Sequence, residues 1–91
     1  SPAELEKAGA GTSGFFYVLS AKGILLSHPQ QALIGRDFSS VPQVASILAR
    51  DRGFQSDDLG GMARTVFFRR LSSGAMLCLT VDTAELGAGG K

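Results

Sequence analysis

From Phe15 to Leu19 every residue is apolar, and a second apolar run, Ile24-Leu25-Leu26, begins after only Ser20-Ala21-Lys22-Gly23. Aromatic and β-branched side chains in consecutive positions favour an extended chain over a helix. A four-residue polar link that ends in glycine marks a hairpin, because Gly23 takes a positive φ at no steric cost. Pro29 closes the second strand, since it has no N–H to give to a ladder. An apolar side chain at every position of Phe15–Leu19 requires cover on both faces or a central place in a sheet.

The rest of the chain supplies the partners. Residues 3–8 are expected to form a short helix with Leu5 as its large apolar residue, broken by the Gly-rich stretch up to Gly14. Residues 30–38 read as a loop. Ser39 or Ser40 is then an N-cap and Pro42 suits a first helical turn, with Val41, Val44, Ile47 and Leu48 near one face. Arg50 and Arg52 fall in the expected last turn, and Gly53 follows as the C′ residue. Residues 54–59 are a strand or an exposed loop, and Gly60-Gly61 is a turn. Residues 62–71 read as a strand with Met62, Arg64, Val66, Phe68 and Arg70 on one face. Ser72-Ser73-Gly74 turns the chain into a last strand over residues 75–81. Short links between consecutive strands predict an antiparallel sheet of about five strands with helices packed against it, an α+β fold. The expected organisation is a helix and linker over 1–13, the folded domain over 14–83 and a flexible Gly-rich tail over 84–91.

Ninety-one residues allow one domain, and 44% apolar with 19% charged residues fits a folded one. A net charge of +1 gives no reason to expect nucleic acid as a partner. The single cysteine, Cys78, excludes an intrachain disulfide and a Cys-cluster metal site, and its run Met76-Leu77-Cys78-Leu79 reads as buried core. No cofactor motif is present. The chain does not begin with Met and shows no membrane span, so it is expected to be an excised soluble part of a longer protein.

Residues 14–29 run Gly-Phe-Phe-Tyr-Val-Leu-Ser-Ala-Lys-Gly-Ile-Leu-Leu-Ser-His-Pro, and Leu33-Ile34-Gly35-Arg36-Asp37-Phe38 follows. This resembles the Cache family pattern: an aromatic-rich strand, a turn ending in Gly, a strand ending in His-Pro, then an aliphatic-Gly-charged stretch. Gly60-Gly61 and the strand after it are similar to the family's later Gly turn, with Phe68 at a ring position and Arg70 in place of a Pro. The resemblance covers about residues 14–81. Two positions depart from it. Ser20 stands where the family has Asp, which weakens a turn device, and Ala75 stands where Trp is common, which removes a core ring that Phe67 or Phe68 can replace.

The resemblance implies a PAS-like sheet in the periplasmic part of an inner-membrane receptor, ahead of a histidine kinase, diguanylate cyclase or chemoreceptor output. It implies a small-metabolite ligand (a carboxylate, amine or amino acid) or the relay of a signal. It also places a pocket between the sheet and the helix-loop layer, with Tyr17, His28, Arg64 and Phe68 as ligand-binding candidates. For His28 the alternative is a strand-closing residue bonded to nearby backbone. For Arg64, Arg69 and Arg70 it is an exposed face or a homodimer surface. Asp37 and the pair Asp57-Asp58 offer a cation or amine a carboxylate, or form solvated loops. Neither His28 nor Cys78 has a nucleophile–base constellation, which argues against a hydrolase or any other enzyme. The competing class is a roadblock-like cytoplasmic dimerisation or scaffold module.

Overall fold

The computed structural model describes residues 13–59 and 61–89. The helix expected over residues 3–8 lies outside them. The chain runs β1 (Phe15–Leu19), β2 (Leu25–Ser27), a 3-10 turn (Gln31–Leu33), α1 (Pro42–Leu48), β3 (Arg52–Leu59), β4 (Met62–Arg70), β5 (Met76–Asp82) and α2 (Thr83–Gly89). The strands form one antiparallel sheet in the order β2-β1-β5-β4-β3. This is the PAS-like α+β layout that the sequence predicts. The last strand takes the centre, because β5 has large apolar side chains on both faces and gains a partner at each edge. β1 sits beside it, one strand in from the edge.

The β1–β2 turn closes through Ser20. Its Oγ accepts the N–H of Lys22 at 3.2 Å and of Ile24 at 3.0 Å, so the hydroxyl performs the bonding of a turn carboxylate. Gly23 has φ +95°, and a Cβ there would stand 2.9 Å from Ser39 Cβ. The loop after β2 folds back along that strand: Leu25 donates to Arg36 O at 2.9 Å, and Phe38 to Gly23 O at 2.9 Å. The free edge of a three-residue strand is thereby covered.

α1 starts at Pro42 as expected, but its N-cap is Val41, with no side-chain cap from Ser39 or Ser40. It ends at Leu48, earlier than its charge pattern suggests, and Arg52 and Gly53 already belong to β3. Pairing with β4 from Arg52↔Arg69 onward outweighs another helical turn. The orphaned carbonyls at the helix end find a cation in Arg70. Its Nη2 donates to Leu48 O at 2.8 Å and Arg50 O at 2.9 Å, and its Nε meets Asp51 at 3.0 Å. Residues 54–59 resolve as strand, not loop.

The core lies between the sheet and α1: Leu19, Leu25, Ile47, Phe68, Met76 and Cys78 are buried. Phe68, not Phe67, replaces the missing core ring, since Phe67 is 38% exposed on the opposite face. Phe16, Leu26 and Phe54 are exposed on that outer face as well, so among the described residues β1 is covered on one side only. Thr83–Gly89 is helical where the glycine content predicts a tail. The start of α2 is tied to the sheet by Thr83 Oγ1, 2.8 Å from the Oγ1 of buried Thr65.

Candidate ligand cavity

Strand alternation sends Phe15, Tyr17 and Leu19 of β1, Thr80 of β5, Arg64 and Val66 of β4 and Asp57 of β3 to the face under α1. They line, with Leu25, His28, Leu33, Phe38, Val41 and the inner side of α1, an open-mouthed cavity of about 420 Å³. That falls within the roughly 300–1,000 Å³ usual for small-molecule sites, and the mostly apolar wall with few polar groups is their usual chemistry.

Three of the four residues singled out in the sequence, Tyr17, His28 and Arg64, meet at this cavity. Phe68 does not reach the wall. It is buried one layer along the sheet, with the Arg50 guanidinium 4.7 Å from its ring centroid. Arg69 points to the outer face and Arg70 holds the helix end, so the three arginines have separate roles. Asp57, one of two readings in the sequence, lines the cavity, while Asp58 faces the other way. Reading residues 54–59 as an alternating strand would have separated the two. Asp37 lies apart, where the Ser39 side chain and then the Ser39 N–H, donating to its carboxylate at 2.8 Å, hold its pKa below the usual value.

The polar groups are tightly engaged. Arg64 Nη1 lies 2.6 Å from Asp82 Oδ1, its Nε and Nη2 donate to Thr80 Oγ1 at 3.3 and 3.2 Å, and Nη2 reaches Ser13 O at 3.4 Å. The guanidinium also stands 5.7 Å from the Phe15 ring centroid. His28 Nδ1 accepts the Gln30 N–H at 2.9 Å, so the proton of the neutral ring sits on Nε2. Its ring packs edge-on to Phe15 at 5.0 Å, and burial lowers its pKa, which keeps it neutral near pH 7. The backbone bond and the place at the cavity wall thus coexist in His28. Burial, the Cys78 thiol and the charge of Asp57 hold the Tyr17 hydroxyl far above its ordinary pKa, with Arg64 opposing them. Burial raises the Cys78 thiol to about 11.

No family model matches the chain, and no curated protein matches it. Solved structures do. The extracellular domain of the candidate histidine kinase rpHK1S-Z16 superposes with a TM-score of 0.72 at 18% identity, over 97% of this chain and 38% of that one. A Cache chemosensory domain solved for its recognition of carboxylic acids gives 0.62 at 18% identity, over 77% of this chain and 60% of that one. The fold is that of Cache sensor domains. The ligand-binding domain of the Pseudomonas aeruginosa PAO1 amino acid chemoreceptor PctB, in complex with L-Arg, gives 0.63 at 22% identity over 98% of this chain and 38% of that one. The chain spans between 38% and 60% of the length of these three chains. At such identities the likeness is one of fold, and the cavity residues of this chain carry their own argument.

Proposed function

We propose that this chain is a sensor module of a transmembrane signalling receptor, held in the periplasm as part of an inner-membrane protein, and that the cavity under α1 receives a small molecule. The observation that carries the reading is the cavity itself: a mostly apolar chamber with a few converging polar groups, in a fold shared with sensor domains. A scaffold or dimerisation module of the roadblock type has no use for such a chamber. The outputs in keeping with the reading are a histidine kinase, a diguanylate cyclase or a chemoreceptor. The module takes in the sheet and both helices, which carries its expected end at residue 83 on through α2.

Arg64 also supplies a route for the signal. Ser13 Oγ donates to Glu85 Oε2 at 2.8 Å and accepts the Asp82 N–H at 3.0 Å, while Ser13 O accepts from Arg64. The two ends of the described chain therefore meet behind a cavity residue. A ligand that shifts Arg64 changes how the chain enters β1 and leaves β5, which is the differential contact a two-state switch needs.

The reading is non-enzymatic. His28 spends Nδ1 on backbone, and among the described residues no cluster of His, Cys, Asp or Glu is placed to hold a metal ion. Among the same residues no helix is long and apolar enough to cross a membrane.

The test is a thermal-shift screen of amino acids, amines and short carboxylates against the 91-residue chain. A compound at 100 times its Kd stabilises by about 2.7 kcal/mol, a shift of roughly 10–20 °C for a domain this size. A hit whose shift is lost in Tyr17→Ala assigns it to the cavity. A screen of all three classes with no hit removes the ligand-binding reading.

A further inference from the structure

We propose that the cavity is built for an organic cation, a primary or secondary amine on a compact apolar body, and not for a carboxylate. The proposal rests on the sensor reading and deepens it by naming the ligand class.

Among the described residues, the charges that line the cavity or pair with its wall are three. Arg64 is the cation, and the register of β4 with β5 sets Asp82 directly opposite it. The pair closes at 2.6 Å, with the two side chains only 18% and 30% exposed. Thr80 and Ser13 O take further guanidinium protons. Arg64 is thus neutralised and held by the protein's own groups. Asp57 is the third charge. It stands across the β3–β4 ladder from Arg64, yet no arginine or lysine nitrogen among the described residues lies within 4.0 Å of its carboxylate. Its one hydrogen bond comes from the neutral amide of Gln55, at 3.2 Å. The sum is one negative charge facing a mostly apolar chamber.

The remaining walls favour the same sign. Phe15, Tyr17 and His28 form one aromatic cluster, with centroid separations of 5.0, 6.0 and 6.3 Å. Aromatic faces carry negative quadrupole density and attract ammonium groups. The neutral His28 adds no competing charge. A carboxylate entering here would have to displace Asp82 from Arg64, leave Asp82 part-buried without a partner, and settle beside Asp57. An ammonium strips no buried group of its partner: it pairs with Asp57, across the ladder from Arg64, while its apolar body lies on Val44, Ile47 and Val66.

The test uses a matched series of one ring and one short arm: phenethylamine, 3-phenylpropionate, phenylalanine and the neutral 2-phenylethanol, titrated calorimetrically into the 91-residue chain. The expected result is phenethylamine at least tenfold tighter than 3-phenylpropionate or phenylalanine. Asp57→Asn should lower phenethylamine affinity at least tenfold and leave 2-phenylethanol unchanged, the alcohol reporting that the cavity still forms. Asp82→Asn, which frees Arg64, should raise affinity for 3-phenylpropionate. The unmutated chain gives a second measurement that needs no variant: phenethylamine affinity falls with added salt and that of 2-phenylethanol does not. If 3-phenylpropionate binds as well as phenethylamine, or if phenethylamine binding ignores both Asp57→Asn and salt, the cation assignment is overturned while the cavity reading stands. If none of the four compounds binds, and the wider screen is empty too, the cavity reading itself fails.

Discussion

Arg64 and Asp82 face each other across the β4–β5 ladder, 2.6 Å apart from Nη1 to Oδ1. They join the cavity wall to the residue that precedes α2. A hydrogen bond to a charged group contributes about 1.5–3 kcal/mol. Asp82→Ala and Arg64→Ala are each expected to cost about that much in urea denaturation, and the double variant less than the sum. Strict additivity would show that the pair contributes nothing as a pair.

Two glycines with nearly equal φ angles separate conformational strain from close packing. Gly23 and Gly35 have φ of +95° and +93°. A left-handed non-glycine residue costs about 1–2 kcal/mol. A Cβ on Gly35 meets no atom within 4 Å, whereas on Gly23 it meets Ser39 Cβ at 2.9 Å and Cα at 3.0 Å. Gly23→Ala should therefore lower the melting temperature clearly more than Gly35→Ala. Equal shifts would mean that the hairpin turn does not rest on the segment before α1.

The roof of the cavity hangs on Ile47, which is 1% exposed. Truncating a buried Ile to Ala costs about 2–5 kcal/mol. Ile47→Ala is expected in that range by chemical denaturation, with a change in ligand affinity as α1 loosens. Phe16→Ala, on the outer face at 47% exposure, should cost markedly less. The reverse order would place the stabilising layer on the wrong side of the sheet.

The chain has one tyrosine and one cysteine, so both titrations can be read without ambiguity. Tyr17 ionises near 10 when unfolded and well above that when folded. Between those values the native state holds a proton that the unfolded state has released. Stability is therefore unaffected by Tyr17 below pH 10 and falls as pH rises past it. Cys78 acts in the same sense from about 9.0 upward, towards its folded value of about 11. Absorbance at about 295 nm should show phenolate appearing with unfolding, and the native thiol should resist disulfide reagents at about pH 8. A phenolate transition near pH 10 in the folded chain would contradict the burial of Tyr17.

Much of the local structure is legible in the chain alone. Apolar runs, the glycine turns, Pro29 and Pro42 specify the hairpin and the start of α1, and alternation along β4 sets Arg64 and Phe68 on one face and Arg69 on the other. These follow because a turn or a strand face depends on residues a few positions apart. The tertiary structure decided everything that depends on which strand lies beside which. Placing β5 in the centre gave Arg64 the partner Asp82, 18 residues away, and so turned a candidate ligand-binding arginine into a neutralised one. Pairing of β3 with β4 ended α1 at Leu48 and set Asp57, but not Asp58, at the cavity. It also brought Arg50 over Phe68 and kept that ring in the core. A side chain's facing is encoded in its neighbours along the chain, whereas its charge balance is set by neighbours across the sheet, and no local pattern names those.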